Sequence, residues 1–463
     1  MGEEWLHDEA ALRRWSSLAA VRRHEHRYHP RVRMNAQGEV QTTPSRRARV
    51  VLWTLTVVYV LNFLDRSLLG ILAKPIQDTL HITDGQLGLI GGLYFAFFYC
   101  FIAIPVGWLA DKTNRVAVLS LACAIWSAAT SFCGVAANYS QLVVARMLVG
   151  FGEAGGVPPS YTIITDYFPP GRRGMAFGIY NLGPPIGAAL GIAFGASIAA
   201  AFNWRVAFLG IGAIGIIAAL AIWLIVREPP RGAFDNVAPT AEGPSFWSTV
   251  KMFFSSPTLL LISFGSGATQ FITYGLGNFT SLFLMREKGM TLQQVAIWYA
   301  LVVAIGMSAG MLISGRAIDR FTRKSKSAYA SIPALSLTLA IPFYVGFVWS
   351  PGWPLALWLL TAVMALNYFY LSSAIALVQE EVRPDQRVMA GALLLLVMNF
   401  IGLGLGPTYV GAASDAFAAR GIGHSLQVAL YTLTPFYVIA VLLFLWLTIR
   451  LRREARGGRQ VLA

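Results

Sequence analysis

Four charged side chains stand in runs that are otherwise apolar. In "YVLNFLDRSLLG", residues 59–70, Asp65 and Arg66 are adjacent, and in "ARMLVGFGEAGG", residues 145–156, Arg146 precedes Glu153 by seven positions. A charge in hydrocarbon costs roughly 2.5–3.5 kcal/mol on insertion scales, and ionisable residues kept there mark ion or substrate paths. Arg stays charged, so a travelling proton must ride on Asp65, the principal carrier, or on Glu153, the second. Apolar surroundings favour a neutral carboxyl and a nearby Arg favours a carboxylate. A cavity that wets and dries in turn shifts that balance and loads the acid at one face and empties it at the other. Arg66 and Arg146 then serve as charge partners or as ligands for an anionic headgroup such as phosphate. The competing reading is a static network holding two helices together.

The elements that must position these groups are membrane helices. Of 463 residues, 56% are hydrophobic and only 13% are charged, about half the share of a soluble protein. The apolar residues fall in blocks long enough to span a bilayer. Twelve spans are expected, centred near residues 60, 97, 127, 153, 187, 215, 270, 304, 338, 368, 402 and 437. Span 1 starts near residue 48 and puts Asp65 about two-thirds across, level with Arg146 on span 4; Glu153 lies on the same face as Arg146, about 10 Å deeper. The net charge of +14 does not point to nucleic acid: 29 of 36 Lys and Arg fall on one side of this topology, five on the other and two inside it. That bias makes both termini cytoplasmic. Cys100, Cys123 and Cys133 all lie in spans and read as buried thiols. None of the six His lies in a span, so no cofactor or metal is expected and the proton gradient is the coupling agent. The first forty-odd residues are polar and basic with no apolar core, so a cleavable signal peptide is not expected. Residues 5–23 read equally as an amphipathic surface helix or as a disordered basic tail.

The chain divides into a basic N-terminal segment (1–47), six spans (48–227), a Pro/Gly-rich cytoplasmic linker (228–256), six more spans (257–450) and a basic tail (451–463). The halves repeat. "GWLADKTNR" (107–115) and "GRAIDRFTR" (315–323) share a Gly-x-x-x-Asp-x-x-x-Arg pattern, "DYFPPGR" (166–172) answers "EVRPDQR" (381–387), and Gly183-Pro184 answers Gly406-Pro407. Such duplication is common among secondary transporters, whose two bundles move about a midplane site.

With twelve spans, this loop after spans 2 and 8, and Arg146, Gly150 and Gly152 in span 4, the sequence resembles the major facilitator superfamily. "GIYNLGPPIG" (178–187) is similar to that family's fifth-helix antiporter motif, though a glycine is out of place and Ala188 stands where another is usual, so antiport is not inferred. "NFLDR" (62–66), "GFGEA" (150–154) and "REPPRG" (227–232) together resemble the Spinster family. The resemblance implies an all-α fold of two six-helix bundles with spans 1 and 4 lining the N-half cavity, a monomer, and a sphingoid or lysophospholipid substrate. A bacterial inner membrane is the expected location.

Candidate cavity residues are Asn62 and Tyr94 in the N-half, and Gln270, Tyr274, Asn278, Asn367, Tyr368, Tyr370 and Asn399 in a C-half with no charge inside its spans. One charged wall facing an amide-bearing, aromatic one suits an amphiphile. Taken singly, each of these is better explained as a hydrogen bond between helices. Gly107, Asp111 and Arg115, with Gly315, Asp319 and Arg323, form a candidate cytoplasmic gate: the carboxylate meets a helix N-terminus, Arg115 pairs across the loop, and the contacts clamp the two bundles in the outward-open state. Gly150, Gly152, Gly183 and Pro184 are assigned to helix packing or bending. The rival functions are a multidrug or organic-ion exporter of the same fold, a membrane lipid enzyme, for which no nucleophile–base set can be assembled, and a channel or sensor, against which the paired gate motifs argue.

Overall fold

The computed structural model describes residues 45–231, 246–383 and 386–460, which belong to one compact helical unit. The segment read as an amphipathic helix or a basic tail lies outside the described residues. Among the described residues, eleven helical stretches are long and apolar enough to cross a membrane, and we number the spans in chain order. They are α1 (Arg46–Ile71), α2 (Asp84–Ala110), α3 (Arg115–Val135), α5 (Arg172–Ala201), α6 (Trp204–Ile225), α7 (Pro257–Arg286), α8 (Leu292–Thr322), α9 (Ala328–Trp349), α10 (Trp353–Glu381), α11 (Met389–Ala419) and α12 (Ser425–Ala455).

The remaining span, α4, is broken. Its helix Tyr139–Glu153 gives way to a turn at residues 154–156 and resumes as Val157–Tyr167. Pro158 and Pro159 sit in the first turn of the second piece, where a missing N–H costs little. The break falls directly after Glu153. Two other spans each hold one wider turn, at Val295–Tyr299 in α8 and Phe400–Leu405 in α11, the kind of irregularity that collects at functional sites.

Helix starts are set by short polar side chains that take up orphan N–H groups. Ser45 caps α1, and Asn114, Asn138, Asn203 and Ser256 do the same for α3, α4, α6 and α7. Packing within the N-half rests on close backbone approach, which in lipid replaces the hydrophobic drive. A Cβ on Gly187 would fall 2.3 Å from the Val60 carbonyl oxygen of α1, and one on Gly191 2.6 Å from that of Leu64. Gly150 and Gly152 do the same for α4, against the Phe95 carbonyl and the Trp126 backbone. Gly183 meets the Tyr59 ring, and Pro184 beside it is buried. The stretch read as a linker is not all irregular: Phe246–Ser255 is a helix with Thr249 and Phe253 buried and Trp247 exposed. Cys100, Cys123 and Cys133 are free and buried.

Candidate transport site

The four charges of α1 and α4 come together, in a pairing that adjacency in sequence does not suggest. Arg66 Nε donates to Glu153 Oε2 at 2.5 Å, while Asp65 Oδ2 lies against the Thr130 hydroxyl of α3. Asp65, Arg146 and Glu153 are each at most 2% exposed. Arg66 stacks over Tyr99, 4.4 Å from the ring centroid, and Arg146 over Phe95 at 5.0 Å. Arg146 lies within electrostatic reach of both carboxylates. The second oxygens of Asp65 and Glu153, the Nε and Nη1 of Arg146 and the Oδ1 of Asn62 have no hydrogen-bond partner among the described residues. Such groups are expensive to bury, so the cluster has unused capacity for a ligand, water or proton.

Thr130 Oγ1 also lies 2.9 Å from the Trp126 carbonyl. One hydroxyl proton cannot serve both acceptors. With Asp65 ionised the hydroxyl donates to it; with Asp65 protonated the carboxyl donates to Thr130, whose own proton turns to Trp126. Thr130, Tyr99 and Phe95 were missed in sequence because they are ordinary residues of apolar spans. Their one signal is helical spacing, since Phe95 and Tyr99 are four apart and share a face.

The C-half residues separate into two groups. Tyr274 of α7 lies within interaction range of Arg66, which joins the two halves at this cluster. Gln270 is buried against Gly402 and within hydrogen-bonding reach of Tyr370. Tyr368 and Asn399 are half-buried, and Asn278 Nδ2 donates to the Tyr274 carbonyl at 3.1 Å. Asn367, by contrast, is spent on a reciprocal pair with Tyr437, at 2.9 and 3.1 Å, and ties α10 to α12. Tyr94 is half-buried beside Tyr139.

At the face where α1 begins and α12 ends, the contacts given by the described gate-loop residues stay on the N-half side. Arg115 pairs within its own half, with Asp166 at 2.5 Å and Glu228 at 2.6 Å, and donates to the Pro229 carbonyl at 3.0 Å. Arg231 donates to the Ala110 and Thr113 carbonyls, so "REPPRG" straps the first gate loop to the end of α6. The Asp111 side chain lies outside the described residues. Asp319 and Arg323 are exposed, and a Cβ on Gly107 or Gly315 would meet nothing within 4 Å.

The opposite face is locked. Arg286 of α7 holds Asp84 of α2 through two nitrogens, at 2.8 and 2.9 Å, and donates to Gln77 at 2.9 Å. Asp415 of α11 accepts from the Asp84 and Gly85 backbone N–H groups, and Ser414 donates to Asp84 at 2.6 Å. Thr408 accepts from Leu93 N nearby. Asp84, Arg286 and Asp415 are not among the candidate residues of the sequence, where each stands near a span end.

Two helix bundles, locked together by polar contacts at one face and enclosing a buried ionic cluster, have the build of a membrane transporter. The sequence profile of the Major Facilitator Superfamily matches residues 55–407, and the chain belongs to that family. It is 31% identical over 389 residues to an MFS-type efflux pump of Mycolicibacterium smegmatis, covering 82% of this chain and 89% of that protein. It is 28% identical to spinster homolog 3 of Danio rerio, covering 82% and 79% of the two chains. The solved structure of a bacterial homolog to the human lysosomal transporter Spinster, inward-facing and unoccupied, superposes with a TM-score of 0.80 at 30% identity, covering 89% of this chain and 99% of that one.

Proposed function

We propose that the chain is a proton-linked secondary transporter of a small amphiphile, a lysophospholipid or sphingoid lipid, working by alternating access as a monomer in a bacterial inner membrane with both termini cytoplasmic. The observation that carries this reading is the cluster itself: a buried Arg146 with two unpartnered nitrogens stands beside two carboxylates that each keep a free oxygen. Asp65 is the principal proton carrier and Thr130 reports its state; Glu153 is the second, held by Arg66. Protonation of Asp65 removes a negative charge from beside Arg146 and frees that guanidinium for an anionic headgroup. The lipid class rests on the resemblance to the Spinster family, with Tyr274, Tyr368 and Gln270 as the wall for the tail.

The 31% relative named as an efflux pump favours a second reading, export of amphiphilic drugs through the same site. One experiment separates the two. Uptake of labelled lysophospholipid and sphingoid phosphate into proteoliposomes is measured with and without a proton gradient, for wild type and Asp65→Asn, with lipophilic cations as competitors. Gradient-stimulated lipid uptake that the variant loses is the expected result. Equal uptake in both proteins would overturn the proton role, and transport of the cations alone would turn the assignment to the exporter.

A further inference from the structure

A groove of about 650 Å³ runs along the outer surface of the N-half between α1 and α6, away from the charged cluster. Its α1 wall is Arg46, Arg49, Val50, Trp53, Thr54 and Val57, at the three- and four-residue spacing of one helix face. On α6, Ala218 and Ala221 supply the floor, where their small side chains leave depth beside the exposed Ile217, Leu220 and Leu224. From Arg46 to Val57 is eleven residues, about 16 Å of helix, the half-thickness of a bilayer's hydrocarbon core. Arg46 and Arg49 are exposed and form no ion pair among the described residues. Trp53, 57% exposed, lies two turns further in.

We propose that this groove binds one anionic phospholipid of the leaflet at the termini face. Arg46 and Arg49 take its phosphate and the stripe from Trp53 to Val57 takes an acyl chain against Ala218 and Ala221. An ordinary annular contact would need only the apolar stripe. Two guanidiniums with no ion-pair partner among the described residues, at the mouth of a one-leaflet-long groove, add selection by charge, worth about fivefold per arginine at a lipid surface. The site is distinct from the transport cluster and does not depend on what the protein carries.

The test uses the full chain reconstituted in phosphatidylcholine doped with brominated phosphatidylglycerol or, at equal bromine content, brominated phosphatidylcholine. Tryptophan quenching is expected to be stronger with the anionic probe, with the excess absent in Trp53→Phe. The mole fraction of anionic probe that gives half of the excess should rise about fivefold in Arg49→Gln and further in Arg46→Gln/Arg49→Gln. Ala218→Leu, which fills the floor and leaves both arginines, should lose the excess as well and guards against a topological effect of removing charge. Equal quenching by both probes, or an excess that survives in these variants, would overturn the proposal. So would a Trp53 that neither probe reaches, which would mean that part of the protein covers the groove.

Discussion

At the scale of single residues, the cluster separates structural from functional roles through its pairing. Removing one member of a buried ion pair strands the other and costs about 3–5 kcal/mol, whereas replacing both with apolar groups is often neutral. Arg66→Leu and Glu153→Leu should therefore each lower the thermal unfolding midpoint of the detergent-solubilised protein, and the double variant should regain most of that loss. Gradient-driven transport should stay absent in all three. A double variant that recovers transport along with stability would reduce the pair to a brace. Thr130 allows a finer test. Thr130→Val removes the hydroxyl that answers to Asp65 and should cut gradient-driven uptake several-fold with little change in folding; Thr130→Ser restores the hydroxyl and should restore uptake. Asp65, Arg66, Arg146 and Glu153 were legible in sequence because charge inside an apolar run is rare. Their pairing was not, since it depends on how α1, α3 and α4 rotate about their axes. Asn367 reads in sequence like any other polar span residue, and its bond to Tyr437, 70 positions away, becomes visible in the fold.

At the scale of elements, the span pattern was legible because apolar length alone specifies it, whereas a count of spans by length does not show that α4 is broken. Residues 139–167 are long enough to read as one span, while the turn at 154–156 is a matter of two glycines followed closely by two prolines. The α1–α5 contact was half legible: Gly183 stood out for its proline neighbour, but Gly187 and Gly191 carry the closest approach. Gly191→Leu should force α1 and α5 apart, cost about 1–3 kcal/mol as overpacking does, and show as a lower folded yield in fluorescence-monitored gel filtration. Gly178→Ala, where a Cβ meets nothing within 4 Å, should leave the yield unchanged or slightly raised. Equal effects at the two positions would mean that the glycine ledge is not what sets the approach.

At the scale of the whole molecule, the sequence carried the two halves and their repeat, but not which face is shut. That is decided by contacts between groups as far as 331 positions apart, such as Asp84 with Asp415, each unremarkable alone. The gate motifs at the termini face hold no inter-half bond among the described residues, and "REPPRG" keeps Arg115 occupied within its own half. The locked face thus rests on Asp84, Arg286, Asp415 and Ser414, together with the backbone fit of Gly88 against Pro407. With its Arg286 side chain 32% exposed, the bidentate contact counts as one charge-assisted bond of about 1.5–3 kcal/mol, so losing it should raise the population open at this face by about ten- to a hundredfold. Arg286→Ala tests this with Thr408→Cys as reporter, beneath the lock, in a protein whose Cys100, Cys123 and Cys133 are replaced. A membrane-impermeant thiol reagent added outside cells should label Cys at position 408 at least tenfold faster once Arg286 is gone, and Asp84→Asn should act in the same direction. The same labelling fixes orientation, because a reagent confined to the outside reaches this position only if the locked face is the exterior one. An unchanged rate in both variants, with the reporter reachable on denaturation, would assign closure to the glycine–proline fit instead of the ionic lock.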